Sequence, residues 1–174
     1  MLVAITGTPG VGKSTVSKLL SNKYNVIDIN SYAKKNGLLE EFDTKLETYN
    51  VDVNKLSDSL KFKTKKSEII FLDGHLSHFV SCDFIIVLRC DPNIIYERLK
   101  KRGYSTQKIQ ENVQAEILDV ILCESMKSGI TTSEINCTNL TPSEIVKIIE
   151  ETIKNPNLFA PGCVDWSHEI DKWF

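Results

Sequence analysis

Arginine is scarce in this 174-residue chain: of 21 basic residues, only Arg89, Arg98 and Arg102 carry a guanidinium. Lysine therefore supplies generic positive charge, and any site that needs a planar, bidentate donor is confined to residues 89–102. The five cysteines (Cys82, Cys90, Cys123, Cys137 and Cys163) are widely spaced, odd in number and free of any C-x-x-C pair. That excludes a disulfide frame or a cysteine zinc site and predicts reduced, packing thiols in an intracellular protein. No apolar run approaches the roughly 20 residues of a membrane helix. The first strand pattern begins at Leu2, so neither a signal nor a transit segment is expected, and the cytoplasm is the expected compartment. The base-reading N-K-x-D pattern of GTPase switches is missing, since Asn22-Lys23-Tyr24-Asn25 ends in Asn and follows the first helix directly. A net charge of −2 gives no global pull toward nucleic acid. With no repeats or low-complexity linkers, 41% hydrophobic and 25% charged residues read as one globular domain over 1–174.

What is present is a phosphate loop. Gly7-Thr8-Pro9-Gly10-Val11-Gly12-Lys13-Ser14 satisfies G-x-x-x-x-G-K-[ST] at every fixed position. Its flanks agree: Leu2-Val3-Ala4-Ile5 reads as a buried parallel strand, and Val16, Leu19 and Leu20 have helical spacing. Glycines let successive N–H groups curl into an anion nest backed by a helix N-terminus. Lys13 reaches terminal phosphates and the Ser14 hydroxyl is suited to Mg²⁺. A nucleoside triphosphate is the predicted ligand.

Further apolar runs at 26–29, 68–73 and 84–88, and a weaker one at 131–137, alternate with helical patterns at 53–62, 92–101 and 105–126. Asp91-Pro92 opens the second of these helices, and Thr141-Pro142-Ser143-Glu144 opens a closing helix with a capping box. The pattern predicts an α/β, three-layer P-loop NTPase sandwich with a five-stranded parallel sheet, ligands lying at the strands' carboxyl ends. Lys61, Lys63, Lys65 and Lys66 form a basic run, most simply a solvated helix end and alternatively an RNA-facing one.

Asp73 ends the strand Ile70-Phe71-Leu72 and is the leading metal candidate beside Ser14. His75 is placed in the chemistry, orienting water or a phosphoryl acceptor, whereas His78 reads as structural. Arg102, and with less weight Arg98 and Arg89, are read as phosphate clamps; surface pairing with acids such as Glu97 is the alternative for Arg98 and Arg102.

The ordered set of the phosphate loop through Thr15, Asp73-Gly74-His75, Val87-Leu88-Arg89-Cys90-Asp91, Tyr96-Glu97-Arg98-Leu99, Arg102-Gly103-Tyr104 and Glu111-Asn112-Val113-Gln114-Ala115-Glu116-Ile117 resembles the adenylate kinase isoenzyme-six family. The wording Asp73-Gly74-His75-Leu76-Ser77-His78 is closer to its archaeal branch. The resemblance spans residues 2–126. It implies that Gly10, Gly12, Lys13, Ser14, Thr15 and Arg102 bind ATP, and that Lys13, Asp73, His75 and Arg102 are catalytic. It further implies Mg²⁺ on Ser14 and Asp73, a monophosphate region at about 28–51 and a short lid at about 103–113. The implied reaction is ATP + AMP giving two ADP, by a monomer, with ATP hydrolysis and a part in small-ribosomal-subunit maturation and rRNA processing. AMP, a small-subunit platform protein and rRNA are the implied partners. Two departures stand out. Lys34 occupies the place of an expected arginine after Ala33, and 103–113 contains no arginine, which leaves room for hydrolysis by water. An assembly-factor ATPase without kinase activity, or another small-molecule P-loop kinase using Asp28-Ile29-Asn30 to hold a polyol, stays open. The segment 155–174 lies outside the match and carries both tryptophans, Trp166 and Trp173. Docking onto the domain and binding a partner are equally compatible with it.

Overall fold

A computed structural model describes residues 1–43, 48–60 and 68–174. In chain order the elements are β1 (Leu2–Thr6), α1 (Lys13–Leu20), β2 (Asn25–Asp28), α2 (Ile29–Lys35), β3 (Leu39–Asp43), β4 (Thr48–Val51) and α3 (Val53–Leu60). There follow β5 (Ile70–Asp73), β6 (Phe84–Arg89), α4 (Pro92–Lys101), α5 (Thr106–Ile117), α6 (Val120–Lys127), β7 (Thr132–Asn136), α7 (Pro142–Lys154) and a last turn, α8 (Ile170–Trp173). Five parallel strands form one sheet in the order β2-β5-β1-β6-β7. The crossover from the central strand β1 leaves toward β2 and that from its neighbour β6 leaves toward β7, which opens a crevice at the carboxyl ends of these two strands.

Alternation along the strands builds the three layers. Val3 and Ile5 of β1 join Phe71, Ile86 and Leu88 in the larger core, covered by Val16 and Leu20 of α1, Ile95 and Leu99 of α4, Val113 of α5 and Ile149 of α7. On the other face Leu2, Ile70 and Leu72 pack on Ile29 and Ala33 of α2 and Leu56 and Leu60 of α3. Ala4, Ile85 and Val87 meet Leu122 of α6. The capping residues act as read: Asp91 accepts from the Asn93 N–H at 2.8 Å, and Thr141 and Glu144 close a capping box. No helix among the described residues is long and apolar enough to cross a membrane.

Three differences from the sequence reading stand out. The strand expected at 26–29 ends at Asp28, whose carboxylate caps α2 by accepting the Ser31 N–H at 2.6 Å. An antiparallel hairpin, β3–β4, occupies part of 28–51. The helix expected over 105–126 breaks at Asp119, which takes a left-handed backbone (φ 54°). The break turns its carboxylate onto Arg89. The basic run at 61–66 lies outside the described residues.

Arg89 itself is a correction. It is not a phosphate clamp; it is fully buried, and its fork holds three carboxylates. Nε donates to Glu116 at 2.8 Å, Nη1 to Glu134 at 2.5 Å, and Nη2 to Asp119 and to the Glu116 carbonyl. Glu134 then accepts the N–H groups of Gly162, Cys163 and Val164 at 2.8–3.4 Å, anchoring the C-terminal segment. Trp166 is buried in the larger core, the Trp173 ring lies 5.3 Å from Tyr96, and Gln114 donates to the Trp173 carbonyl at 2.7 Å. The segment at 155–174 therefore docks on its own domain.

Removing Arg89 leaves two buried carboxylates, Glu116 and Glu134, charged and dry, and a third, Asp119, partly exposed. Arg89→Met is expected to cost about 3–5 kcal/mol of stability. Urea unfolding measures it, and a loss under about 1 kcal/mol would contradict the role given to this cluster.

Candidate active site

The turn from β1 into α1 is a glycine conformation. Gly7 has φ 138°, and a Cβ there would lie 2.3 Å from the Leu88 carbonyl oxygen. Only glycine lets the loop pass so close to β6. Gly12 precedes α1 without a side-chain cap, so the first-turn N–H groups of that helix remain available to an anion. Arg98 braces the loop from outside, Nη1 donating to the carbonyls of Gly10 at 3.0 Å and Val11 at 3.1 Å. This replaces the readings of Arg98 as a phosphate clamp or a surface pair. Thr8 donates its hydroxyl to Glu116 at 2.5 Å, linking the loop to the Arg89 cluster. Lys13 reaches back over the loop, its ammonium donating to the carbonyls of Gly7 at 2.5 Å and Thr8 at 3.1 Å.

Two cavities meet at the loop. The larger, of about 470 Å³, is bordered by Gly10, Gly12, Lys13 and Ser14, by Asp28 at the end of β2 and Asn30 in the first turn of α2, and by Asp73 at the end of β5 with Gly74 and His75 after it. Its far wall is Arg102, Tyr104, Lys108 and Asn112, from the α4–α5 connection and α5. The smaller, of about 350 Å³, is bordered by Thr15, Val16, Arg98, Lys101, Leu140, Pro142 and Ile145. Gly10, Gly12 and Arg102 border both. Asp28 and Asp73 are register partners on neighbouring strands, so both carboxylates sit on one edge of the sheet.

The electrostatics follow from loss of water at this edge. Burial lowers Lys13 from 10.5 to about 8, although Asp73 and Glu116 pull the other way and Arg102 adds to the fall. Burial likewise raises the Asp73 carboxyl. Ser17, whose hydroxyl approaches that carboxylate without closing a hydrogen bond, and the Lys13 charge oppose the rise, while Asp28 adds to it. His75 falls from 6.5 to about 4, through burial first and then the charges of Lys13, His78 and Lys108, so its imidazole is neutral at pH 7. An exposed Ser14 hydroxyl and the Asp73 carboxylate offer hard oxygen donors on one cavity. No cluster of three or more His, Cys, Asp or Glu ligands exists among the described residues. A sparse oxygen set of this kind suits Mg²⁺, which keeps several waters and takes phosphate oxygens for the rest.

The fold thus gathers Gly10, Gly12, Lys13, Ser14, Thr15, Asp73, His75 and Arg102 around these two cavities. It leaves out three residues of the wider reading. Arg89 is interior, and Lys34 is exposed and borders neither cavity. His78 is buried between Thr6 at 2.9 Å and Glu124 at 3.1 Å. The expected lid at 103–113 is a short connection running straight into α5, whose Ser105 cap accepts the Lys108 N–H. Lys108, Asn112 and Glu116 were missed as site residues. Asn112 and Glu116 share the helix face of Ile109, Val113 and Ile117, and polar residues in an apolar stripe were the available signal.

The lowered Lys13 pKa makes triphosphate binding proton-linked. At pH 8 the free protein is about half protonated there, and nearby anionic phosphates raise the pKa, so binding takes up a proton. Calorimetry in buffers of different ionisation enthalpy is expected to show uptake of up to about half a proton at pH 8 and less at pH 6.5. Proton release, or no uptake at pH 8, would contradict this assignment.

Comparison with known proteins agrees with the geometry. The sequence profile of the AAA domain family matches residues 3–119. An archaeal protein of Methanocaldococcus jannaschii named "Putative adenylate kinase" is 48% identical over 97% of this chain and 94% of its own. A protein of the same name from Thermococcus kodakarensis is 42% identical over 99% and 96%. Among solved structures, the YorR protein of Bacillus subtilis superposes with a TM-score of 0.60 at 18% identity, covering 90% of this chain and 98% of that one. Deoxyadenosine kinase of M. mycoides with bound dATP gives 0.55 at 21%, covering 89% and 100%. These two similarities concern the fold. The archaeal identities extend over nearly the whole of both chains, and this protein belongs to the family of those relatives named "Putative adenylate kinase", built on a P-loop α/β domain.

Proposed function

We propose that this protein is a Mg²⁺-dependent adenylate kinase, transferring the γ-phosphoryl group of ATP to AMP to give two ADP, and hydrolysing ATP when water takes the acceptor's place. The observation that carries the reading is the pair of cavities meeting at Gly10, Gly12 and Arg102. The smaller one, with apolar walls from Val16, Leu140, Pro142 and Ile145, suits the donor's adenine, over which a guanidinium can stack. The larger one suits the acceptor, beside Asp28, Asn30 and His75.

In this reading an oxygen of the AMP phosphate attacks the γ-phosphorus, and the bond to the β–γ bridging oxygen breaks to leave ADP. Little covalent chemistry is asked of the protein, and positioning with charge stabilisation supplies the rate. The loop N–H groups and Lys13 hold the donor phosphates. Ser14 and Asp73 would hold Mg²⁺, which would supply positive charge against the phosphates. Arg102, at the junction, takes up charge as it spreads between donor and acceptor. Neutral His75 hydrogen-bonds the acceptor, or a water standing in its place. The relatives' name supports the kinase reading. A second role in small-ribosomal-subunit maturation, with a platform protein or rRNA as partner, rests on the resemblance to the isoenzyme-six family.

The deciding experiment supplies ATP and Mg²⁺ with a panel of nucleoside monophosphates and resolves the products. ADP formed two for each AMP consumed is the expected result. Phosphate release without acceptor phosphorylation would leave an ATPase in place of a kinase, and turnover of a hydroxylated acid alone would favour a different small-molecule kinase. Lys13→Ala is expected to lower both activities by at least about 100-fold, and Arg102→Lys to lower transfer about tenfold or more. Wild-type kinetics in either variant would remove that residue from the mechanism.

A further inference from the structure

We propose that Lys108, on the first turn of α5, is the acceptor-side phosphate clamp, a single ammonium standing where an arginine-bearing lid would otherwise close. The inference rests on the kinase reading above and names the residue that reading lacks. An acceptor monophosphate carries about −1.5 to −2 charge near neutral pH. Bringing it against a triphosphate needs a cation on its own side as well as on the donor's.

The described cations near the loop divide clearly. Arg89 is buried among carboxylates, and Arg98 is held by the Gly10 and Val11 carbonyls. Lys13 lies over the Gly7 and Thr8 carbonyls, on the donor phosphates' path. Lys101 borders only the smaller cavity, and Arg102 borders both. Lys108 alone among the described lysines and arginines borders the larger cavity without also forming the loop or bordering the smaller one. Its charge is also felt at His75, across the cleft on the β5 side.

The local structure fixes the root of this side chain and leaves its tip free to exchange partners. The Lys108 N–H is capped by Ser105 at 3.2 Å, and its carbonyl accepts from the buried Asn112 amide at 2.6 Å. Among the described residues the ammonium pairs with Glu111 alone, at 3.4 Å, the Lys108 side chain being 22% and Glu111 39% exposed. A single long contact to a partly exposed carboxylate one helical turn away is weak and gives way to a dianion. A lysine presents a point charge rather than a fork, so it holds the acceptor by charge and leaves the phosphate free to rotate into line.

Calorimetric titration of AMP and, separately, of Mg-ATP into wild type, Lys108→Gln and Lys108→Arg tests this. Lys108→Gln keeps the stem and removes the charge. It is expected to weaken AMP binding about tenfold or more while ATP affinity moves less than about threefold, and Lys108→Arg is expected to bind AMP within about threefold of wild type. Retained ATP affinity also certifies that the variant is folded. Unchanged AMP affinity in Lys108→Gln, or equal losses for both nucleotides, overturns the proposal while leaving the kinase reading intact. A wild-type protein that binds ATP but no monophosphate overturns both.

Discussion

One buried guanidinium organises this molecule. Arg89 ends the strand next to β1 and neutralises Glu116 from α5, Asp119 from the α5–α6 break and Glu134 from β7. Three carboxylates around one cation leave a negative excess, and the remaining lone pairs are met by hydrogen bonds. Glu116 accepts from Thr8 in the phosphate loop and from the Cys90 N–H at 3.1 Å. Glu134 accepts three consecutive N–H groups of the C-terminal segment. Such a cluster is tolerable in the interior only when nearly every polar atom is satisfied. That requirement sets the loop, the break after α5 and the docking of the last residues against one another.

The donor side is consequently rigid. Arg98 braces the loop from one flank, the Thr8–Glu116 contact braces it from the other, and Gly7 sits against β6 with no room to shift. Scarcity of arginine marked a place where lysine fails at Arg89, whose three carboxylate partners occupy a whole fork. Arg98 braces the loop carbonyls through Nη1 alone, so fork chemistry was correctly anticipated at Arg89 only, and there its ligand is carboxylate and not phosphate. Arg102 is exposed and borders both cavities; its backbone N–H closes α4 on the Arg98 and Leu99 carbonyls, while its guanidinium has no hydrogen bond or ion pair among the described residues.

The sheet, its parallel sense and the phosphate loop were legible because each depends on local pattern. Apolar runs name buried strands, the loop motif has strict spacing, and Asp91 and Thr141 carry their caps within a few residues. What was not legible depends on partners distant in sequence. Nothing near Asp119 announces a left-handed residue; its reason is Arg89, thirty positions earlier. Glu134 reads as an ordinary polar residue in a weak strand until the amides of 162–164 fold over it. His78 and His75 look alike along the chain, yet one closes a buried bridge between Thr6 and Glu124 and the other opens on the cleft.

The cleft carries its own electrostatic tension, and it has one direction. Burial disfavours charge on Lys13, His75 and Asp73 alike, lowering the first two and raising the third. For Lys13, depressed to about 8, the unfolded chain binds more protons between that pH and 10.5, so keeping it charged below pH 8 costs the free fold stability. A polyanion beside Lys13 and a divalent cation beside Asp73 each relieve one half of that cost. Either ligand alone would add charge that the dry edge of the sheet opposes, whereas the metal–triphosphate pair compensates both groups at once. In the proposed reaction a donor carrying both charges would meet groups already in place for each, Lys13 for the phosphates and Asp73 for the cation.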